Sequence, residues 1–184
     1  MSKVDNNLVN ISKFLCFVLR HRPESIDIKM DENGWVDVND LISRCSGKTL
    51  SLSREVLDQV VETDDKKRFT YSRDGTKIRA AQGHSIAGLS MNYESATPPD
   101  VLYHGTASRF IDLIKKNGLL PGLRLYVHLT TNRDTAMDVG KRYGQALLIT
   151  IDAKQAFADG INFYQTENGV WLTNSLPLKY LNFS

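Results

Sequence analysis

The chain has 184 residues, of which 41% are hydrophobic and 24% charged, with a formal net charge of +2. That length admits one domain or two small ones, and the balance is that of an ordinary globular protein, not a disordered or fibrous one. Residues 1–90 carry 14 Lys and Arg against 13 Asp and Glu, and residues 91–184 carry 9 against 8, so neither half is a basic nucleic-acid domain. The longest apolar run falls far short of a bilayer span and no charged-then-apolar leader is visible, which leads us to expect a cytoplasmic protein. Cys16 and Cys45 suit a reducing compartment, with Cys16 inside a helical apolar pattern and expected to be buried. No CxxC, HxxxH or HExxH spacing occurs, so no metal site is expected.

Ile11, Phe14, Leu15, Val18 and Leu19 recur at helical spacing, and Pro23 stops the helix. Arg20, His21 and Arg22 therefore sit at a helix C-terminus, where the dipole favours cations. Alone, that is a plain charge cluster, although a histidine between two arginines also suits a phosphate. A short strand at Gly34-Trp35-Val36 leads into a helix over 37–44, and Ser53 caps another with Val56, Leu57, Val60 and Val61 inward. Lys66-Lys67-Arg68 precedes two β-prone runs, 69–72 and 77–80, joined through Asp74-Gly75, a hairpin signal. Arg68 and Thr70 share one face of the first run, opposite Phe69 and Tyr71. Helices followed by a hairpin describe a winged-helix-like module. The Gly, Ser, Thr and Pro content of 82–100 reads as a linker, with the boundary near residue 90.

The second half opens with a strand over 101–106, Val101 through His104-Gly105-Thr106, running into a turn. Ser108 then begins a helix over 109–117, with Phe110, Leu113 and Ile114 inward. Strand, small turn and helix N-terminus together would make a phosphate cradle. Leu119 to Thr130 reads as one strand, entered at Pro121-Gly122, with Arg124, Tyr126 and His128 on one face and Leu123, Leu125, Val127 and Leu129 on the other. The polar face is either a solvated edge or the floor of an anion site. A helix over 132–142, a buried strand over 145–151, a strand over 170–173 after Asn168-Gly169, and a closing segment with Leu178, Tyr180 and Leu181 for the core complete an α+β pattern.

LRHRP at 19–23, KKRF at 66–69, IRAAQGHS at 78–85, HGT at 104–106, GLRLYVHLT at 122–130 and NGVWLT at 168–173 occur in an order that resembles the Tpt1/KptA family of RNA 2′-phosphotransferases. The resemblance covers nearly the whole chain. It implies an N-terminal winged-helix RNA lobe, residues 1–90, and an ADP-ribosyltransferase-fold lobe, residues 91–184, that holds NAD⁺ as a consumed co-substrate. It further implies a phosphate-binding catalytic tetrad at Arg20, His21, Arg68 and Arg124, and cofactor contacts at His104, Gly105, Thr106, His128 and Thr130. Tyr126 departs from the family's usual histidine, Gly122 from a common methionine, and Thr130 from a serine, which keeps the hydroxyl.

The implied reaction removes an internal 2′-phosphate from RNA through an ADP-ribosylated RNA, giving 2′-hydroxyl RNA, nicotinamide and ADP-ribose 1″,2″-cyclic phosphate. A spliced tRNA is the family's best-known substrate type. Such chemistry needs charge neutralised around phosphate more than a strong protein nucleophile, and arginine's planar fork serves that. His21, which titrates near neutrality, is the expected proton-handling group of the second step, while His84 is left between a structural and a substrate-loop role. The alternatives are an ADP-ribosyltransferase acting on a protein, a small molecule or a terminal nucleic-acid phosphate, and a non-enzymatic winged-helix binder. A monomer is expected, since no exposed apolar helix is evident.

Overall fold

The computed structural model describes residues 3–45 and 51–183, and the chain divides into two compact units, Met1–Asn92 and Tyr93–Ser184. Both mix helix and sheet. No helix among the described residues is long and apolar enough to cross a membrane.

The first unit begins with α1, Lys3–Arg20. Ile11, Leu15, Val18 and Leu19 fall on one stripe of it and are fully buried, the spacing that a helix needs to turn one face inward. A single 3-10 turn over Pro23–Ile26 follows, with proline in its first position where no N–H is needed. Next come β1 (Val36–Asp37), α2 (Val38–Cys45) and α3 (Arg54–Glu62). The Ser53 hydroxyl accepts the Val56 N–H at 3.3 Å, as an N-cap should. The hairpin β2 (Phe69–Tyr71) and β3 (Lys77–Ala80) pairs Tyr71 with Ile78 and Phe69 with Ala80 around Gly75, whose φ of 70° suits glycine. β3 is the centre of an antiparallel β1-β3-β2 sheet. Ile78 meets Leu15, Leu41 and Leu57 in one core. Cys16 is only half-buried, a lesser burial than its place in the apolar pattern suggests.

Residues 82–92 belong to this unit and are not a loose linker. His84 and Met91 are 2% exposed, and the Ser90 N–H donates to the Glu32 carbonyl at 2.7 Å. The small residues that read as a linker let the chain lie close against α1 instead. Gly83 has φ 92° and would put a Cβ 3.5 Å from the Arg20 guanidinium.

The second unit holds two antiparallel sheets. One is β4 (Val101–Ala107), β6 (Ala146–Asp152) and β9 (Leu181–Phe183), with β6 in the middle. The other is β5 (Val127–Leu129), β8 (Trp171–Thr173) and β7 (Tyr164–Gln165), with β8 in the middle. Tyr103 and Thr130 exchange two backbone hydrogen bonds, 2.8 and 3.0 Å, that tie β4 to the end of β5. Leu102, Leu129, Ile149, Ile151, Phe163 and Trp171 form the core. α4 (Ile111–Asn117), α5 (Arg133–Lys141) and α6 (Ala153–Ala158) flank the sheets.

α5 lies on β4 nearly backbone to backbone. A Cβ on Gly105 would stand 1.6 Å from the Ala136 carbonyl oxygen, and one on Gly140 would stand 2.7 Å from the Thr106 oxygen. Glycine at both positions is what admits the helix.

β4 runs unbroken through His104, Gly105 and Thr106, as the strand expected over 101–106 requires, and extends to Ala107. Three other expectations for this unit are corrected. A 3-10 turn over Ser108–Phe110 precedes α4, without a side-chain cap from Ser108; Leu113 is 61% exposed and Phe110 also faces outward, leaving Ile114 as the buried residue. The single strand expected over 119–130 is broken: Leu119 bridges to Leu176, and the Arg124 N–H closes a turn on the Pro121 carbonyl at 3.3 Å. Gly122 has φ 66°, and only Val127–Leu129 is strand. Proline without a donor followed by a left-handed glycine ends β pairing, and Leu123 is consequently 92% exposed instead of buried. Leu178 also faces solvent, unlike Tyr180 and Leu181.

Candidate functional site

In the first unit, the end of α1 presents Arg20 and His21, and two segments far along the chain come to meet them. The strap over 82–85 is one. Its Ser85 N–H donates to the Arg20 carbonyl at 2.9 Å, one of the orphan acceptors of a helix end. Its Ser85 hydroxyl lies 2.8 Å from Nδ1 of the exposed His21, and Gly83 lies flat against the Arg20 guanidinium. The other segment is the approach to β2. There the Asp64 carboxylate accepts the Arg68 backbone N–H at 2.6 Å and pairs with the Arg68 guanidinium. The carboxylate is 4% exposed, so the pair is well shielded. Ala81 N–H in turn donates to the Arg68 carbonyl at 2.8 Å.

Arg20 and Arg68 are thereby brought to one place. Burial pushes the Cys16 thiol up, and the charges of both guanidinium groups, weaker than the burial, pull it down. His84 lies under the cluster. Burial, and then the charges of Arg20, Arg79 and His21, push its pKa down to about 4, and its Nε2 makes no hydrogen bond among the described residues. This ring is a structural, neutral histidine of the first unit.

Its folded pKa lies below the usual 6.5, so the unfolded chain takes up the proton first. Stability should be unaffected by His84 above about pH 7 and fall by about 3 kcal/mol as pH drops from 6.5 to 4. Urea unfolding at pH 7 and pH 4.5 checks this, with His84→Asn expected to remove much of the difference.

In the second unit, His104 projects from β4 and its Nδ1 lies 2.9 Å from the His128 carbonyl oxygen. His128 projects from β5, with Nδ1 2.9 Å from the Tyr126 carbonyl. A carbonyl only accepts, so each ring donates from Nδ1–H and, when neutral, carries its lone pair on Nε2. Burial is the main cause that holds the His104 pKa below its usual value; the hydrogen bond to His128 opposes it and the Arg124 charge adds to it. Arg124 thus acts on His104 from the exposed turn before β5. Tyr126 packs edge-on between Tyr93 and Tyr164, with ring centroids 5.7 Å apart on both sides.

Thr130 accepts the Asn132 N–H at 3.2 Å, just ahead of α5. Thr106 is buried. The missing side chain of Gly105 is accounted for by the packing of α5. Arg20, His21 and Arg68 are gathered in the first unit, while Arg124, His104, His128 and Thr130 lie together around β4 and β5 in the second. Sequence reasoning passed over Asp64 and Ser85. Asp64 stands four residues before Arg68, a spacing that would have drawn notice in a helix. Ser85 is 64 residues from His21, and no local pattern announces it.

A family model described as RNA 2′-phosphotransferase, Tpt1/KptA family, matches residues 6–175. A protein of Pseudomonas aeruginosa (strain UCBPP-PA14) named probable RNA 2′-phosphotransferase is 51% identical over 174 residues, 95% of this chain and 96% of the relative. One of the same name from Escherichia coli O45:K1 (strain S88 / ExPEC) is 49% identical over 179 residues, 97% of this chain and 92% of the relative. Another, from Pseudomonas syringae pv. tomato (strain ATCC BAA-871 / DC3000), is 48% identical over 171 residues, 93% and 91% of the two chains. With a match of this extent, running through Arg20, Arg68, His104, Arg124 and His128, the chain belongs to the Tpt1/KptA family of RNA 2′-phosphotransferases and is a transferase.

Proposed function

We propose that this protein removes an internal 2′-phosphate from RNA by transferring it to NAD⁺, in two steps. The observation that carries the reading is the gathering of Arg20 and His21, at the end of α1, with Arg68, far along the chain, into one cationic cluster of the first unit.

In the first step a 2′-phosphate oxygen of the RNA attacks the anomeric carbon of the nicotinamide-bearing ribose. The bond from that carbon to the ring nitrogen breaks, and its electron pair neutralises the pyridinium of the departing nicotinamide. In the second, the ribose 2″-hydroxyl attacks phosphorus and the bond to the RNA 2′-oxygen breaks. That oxygen takes a proton and leaves as a hydroxyl, with ADP-ribose 1″,2″-cyclic phosphate as the other product. Arg20 and Arg68 hold the phosphate charge in both steps, and His21 supplies the proton in the second. The residues of the second unit fit NAD⁺: the Nε2 lone pairs of His104 and His128 accept from ribose hydroxyls or the carboxamide, and Thr130 offers a hydroxyl.

The test is a short RNA with one radiolabelled internal 2′-phosphate, with and without NAD⁺. Label passing through an ADP-ribosylated RNA into a small cyclic phosphate supports the reading. Label held on RNA, with NAD⁺ bound, points to an ADP-ribosyltransferase of another acceptor.

The strand β8 offers no glutamate to orient an acceptor, and Glu167 lies exposed before the turn that leads into it. An acceptor that is itself an anion needs no such carboxylate. Glu167→Gln should leave turnover within about twofold; a large loss in the same assay would place the site elsewhere.

A further inference from the structure

We propose that Ser85 is a positioning residue for His21, holding the imidazole so that its exchanging proton sits on Nε2. This rests on the reading above, in which His21 serves the RNA phosphate.

Ser85 is anchored independently of the ring. Its N–H donates to the Arg20 carbonyl at 2.9 Å, which pins the strap to the last turn of α1, and its hydroxyl then reaches His21 Nδ1 at 2.8 Å. The backbone therefore fixes the distance between Oγ and the helix end before any substrate arrives. An imidazolium donates from both nitrogens. With Nδ1–H given to the Ser85 oxygen, the second donor of the ring is Nε2–H. When the ring gives that proton to the RNA 2′-oxygen, the Nδ1–H hydrogen bond persists and the lone pair appears on Nε2. The attacking 2″-hydroxyl loses its own proton to water, so the second step balances. A hydroxyl serves this better than a carboxylate would, because it orients the ring without a charge that holds it protonated.

The charges around His21 include those of Arg20 and Arg22, its chain neighbours, the latter paired with Glu24 at 3.2 Å. His84 faces it from the strap and is kept neutral. Ser85 is itself uncharged, so it sets the orientation of the ring and not its charge.

The experiment compares wild type with S85A, S85T and S85D, following nicotinamide release and consumption of the ADP-ribosylated RNA across pH, with urea midpoints recorded for each. S85A should slow consumption of the intermediate about tenfold or more while nicotinamide release changes far less. S85T should restore most of the rate, and S85D should move the pH limb of the second step upward. Consumption by S85A at the wild-type rate, or a limb that S85D leaves in place, overturns the proposal. The ¹⁵N signals of the His21 ring in the ligand-free protein decide the hydrogen bond without reference to activity. A neutral ring protonated at Nδ1 in wild type and a tautomer mixture in S85A support it; the same mixture in both overturns it. A wild type that transfers nothing from labelled RNA defeats the activity reading, and the ring signals still decide whether Ser85 orients His21.

Discussion

Gly105→Ala should unfold the second unit or bring it close to unfolding. The new methyl carbon would fall 1.6 Å from the Ala136 carbonyl oxygen, inside covalent-contact range and against backbone, which has no rotamer to change. Relief requires α5 to lift off β4 as a body, opening a gap along the edge strand that carries His104. The cost is expected at about 3 kcal/mol or more, the upper end for overpacked interiors, and a loss of that size is a large share of a small domain's stability. Gly140→Ala, with 2.7 Å to the Thr106 oxygen, should cost less because its clash is shallower. Gly122→Ala is the control. Nothing lies within 4 Å of it, so only its left-handed φ of 66° is penalised, by about 1 kcal/mol. Urea midpoints of the three variants should rank in that order. A Gly105→Ala midpoint equal to that of Gly122→Ala would show that α5 rides on β4 far more loosely than the geometry indicates.

Arg68→Lys should lower the rate of 2′-phosphate transfer about a hundredfold while leaving the fold intact. Lysine keeps the charge but replaces a planar fork, clamped by Asp64, with a mobile point charge. Loss of a charge-assisted, aligned hydrogen-bond pair is worth about 2–3 kcal/mol, which converts to roughly that factor in rate. Asp64→Asn separates orientation from charge. Its amide oxygen can still accept the Arg68 N–H, now 2.6 Å from a carboxylate oxygen, but the ion pair is gone, so a smaller loss, about tenfold, is expected. Single-turnover transfer with labelled RNA measures both. Full activity in Arg68→Lys would remove this side chain from the phosphate.

Much of the architecture was legible because it is periodic. Ile11, Leu15, Val18 and Leu19 announced α1, Ser53 announced the start of α3, and Asp74-Gly75 announced the β2–β3 turn. The helix capped by Asn132 and the strand over 146–152 were equally plain. What misled was alternation without pairing. LRLYVHL alternates as a strand does, yet Leu123 and Arg124 lie in a turn, because Pro121 and Gly122 act on the backbone whatever the side chains prefer. The site was legible in its charged residues and illegible in its supports. Arg20, His21 and Arg68 stand in recognisable motifs, whereas Ser85 and Asp64 are ordinary residue types whose roles depend on tertiary approach. The composition of 82–92 argued for a linker; the small side chains instead let that segment press against α1, with His84 sealed beneath it.

The strap over 82–85 also sets an order of events during synthesis. Arg20 and His21 leave the ribosome long before Ser85, and their hydrogen bonds to it span more than sixty residues. Contacts so distant in sequence form late, after the intervening sheet has closed. A nascent chain that has reached Arg79 already carries Arg20, His21 and Arg68, and the Asp64 clamp is local to it, but the residues that hold the helix end are still to come. The phosphate grip proposed for Arg20 and His21 is thus completed only with the rest of the first unit.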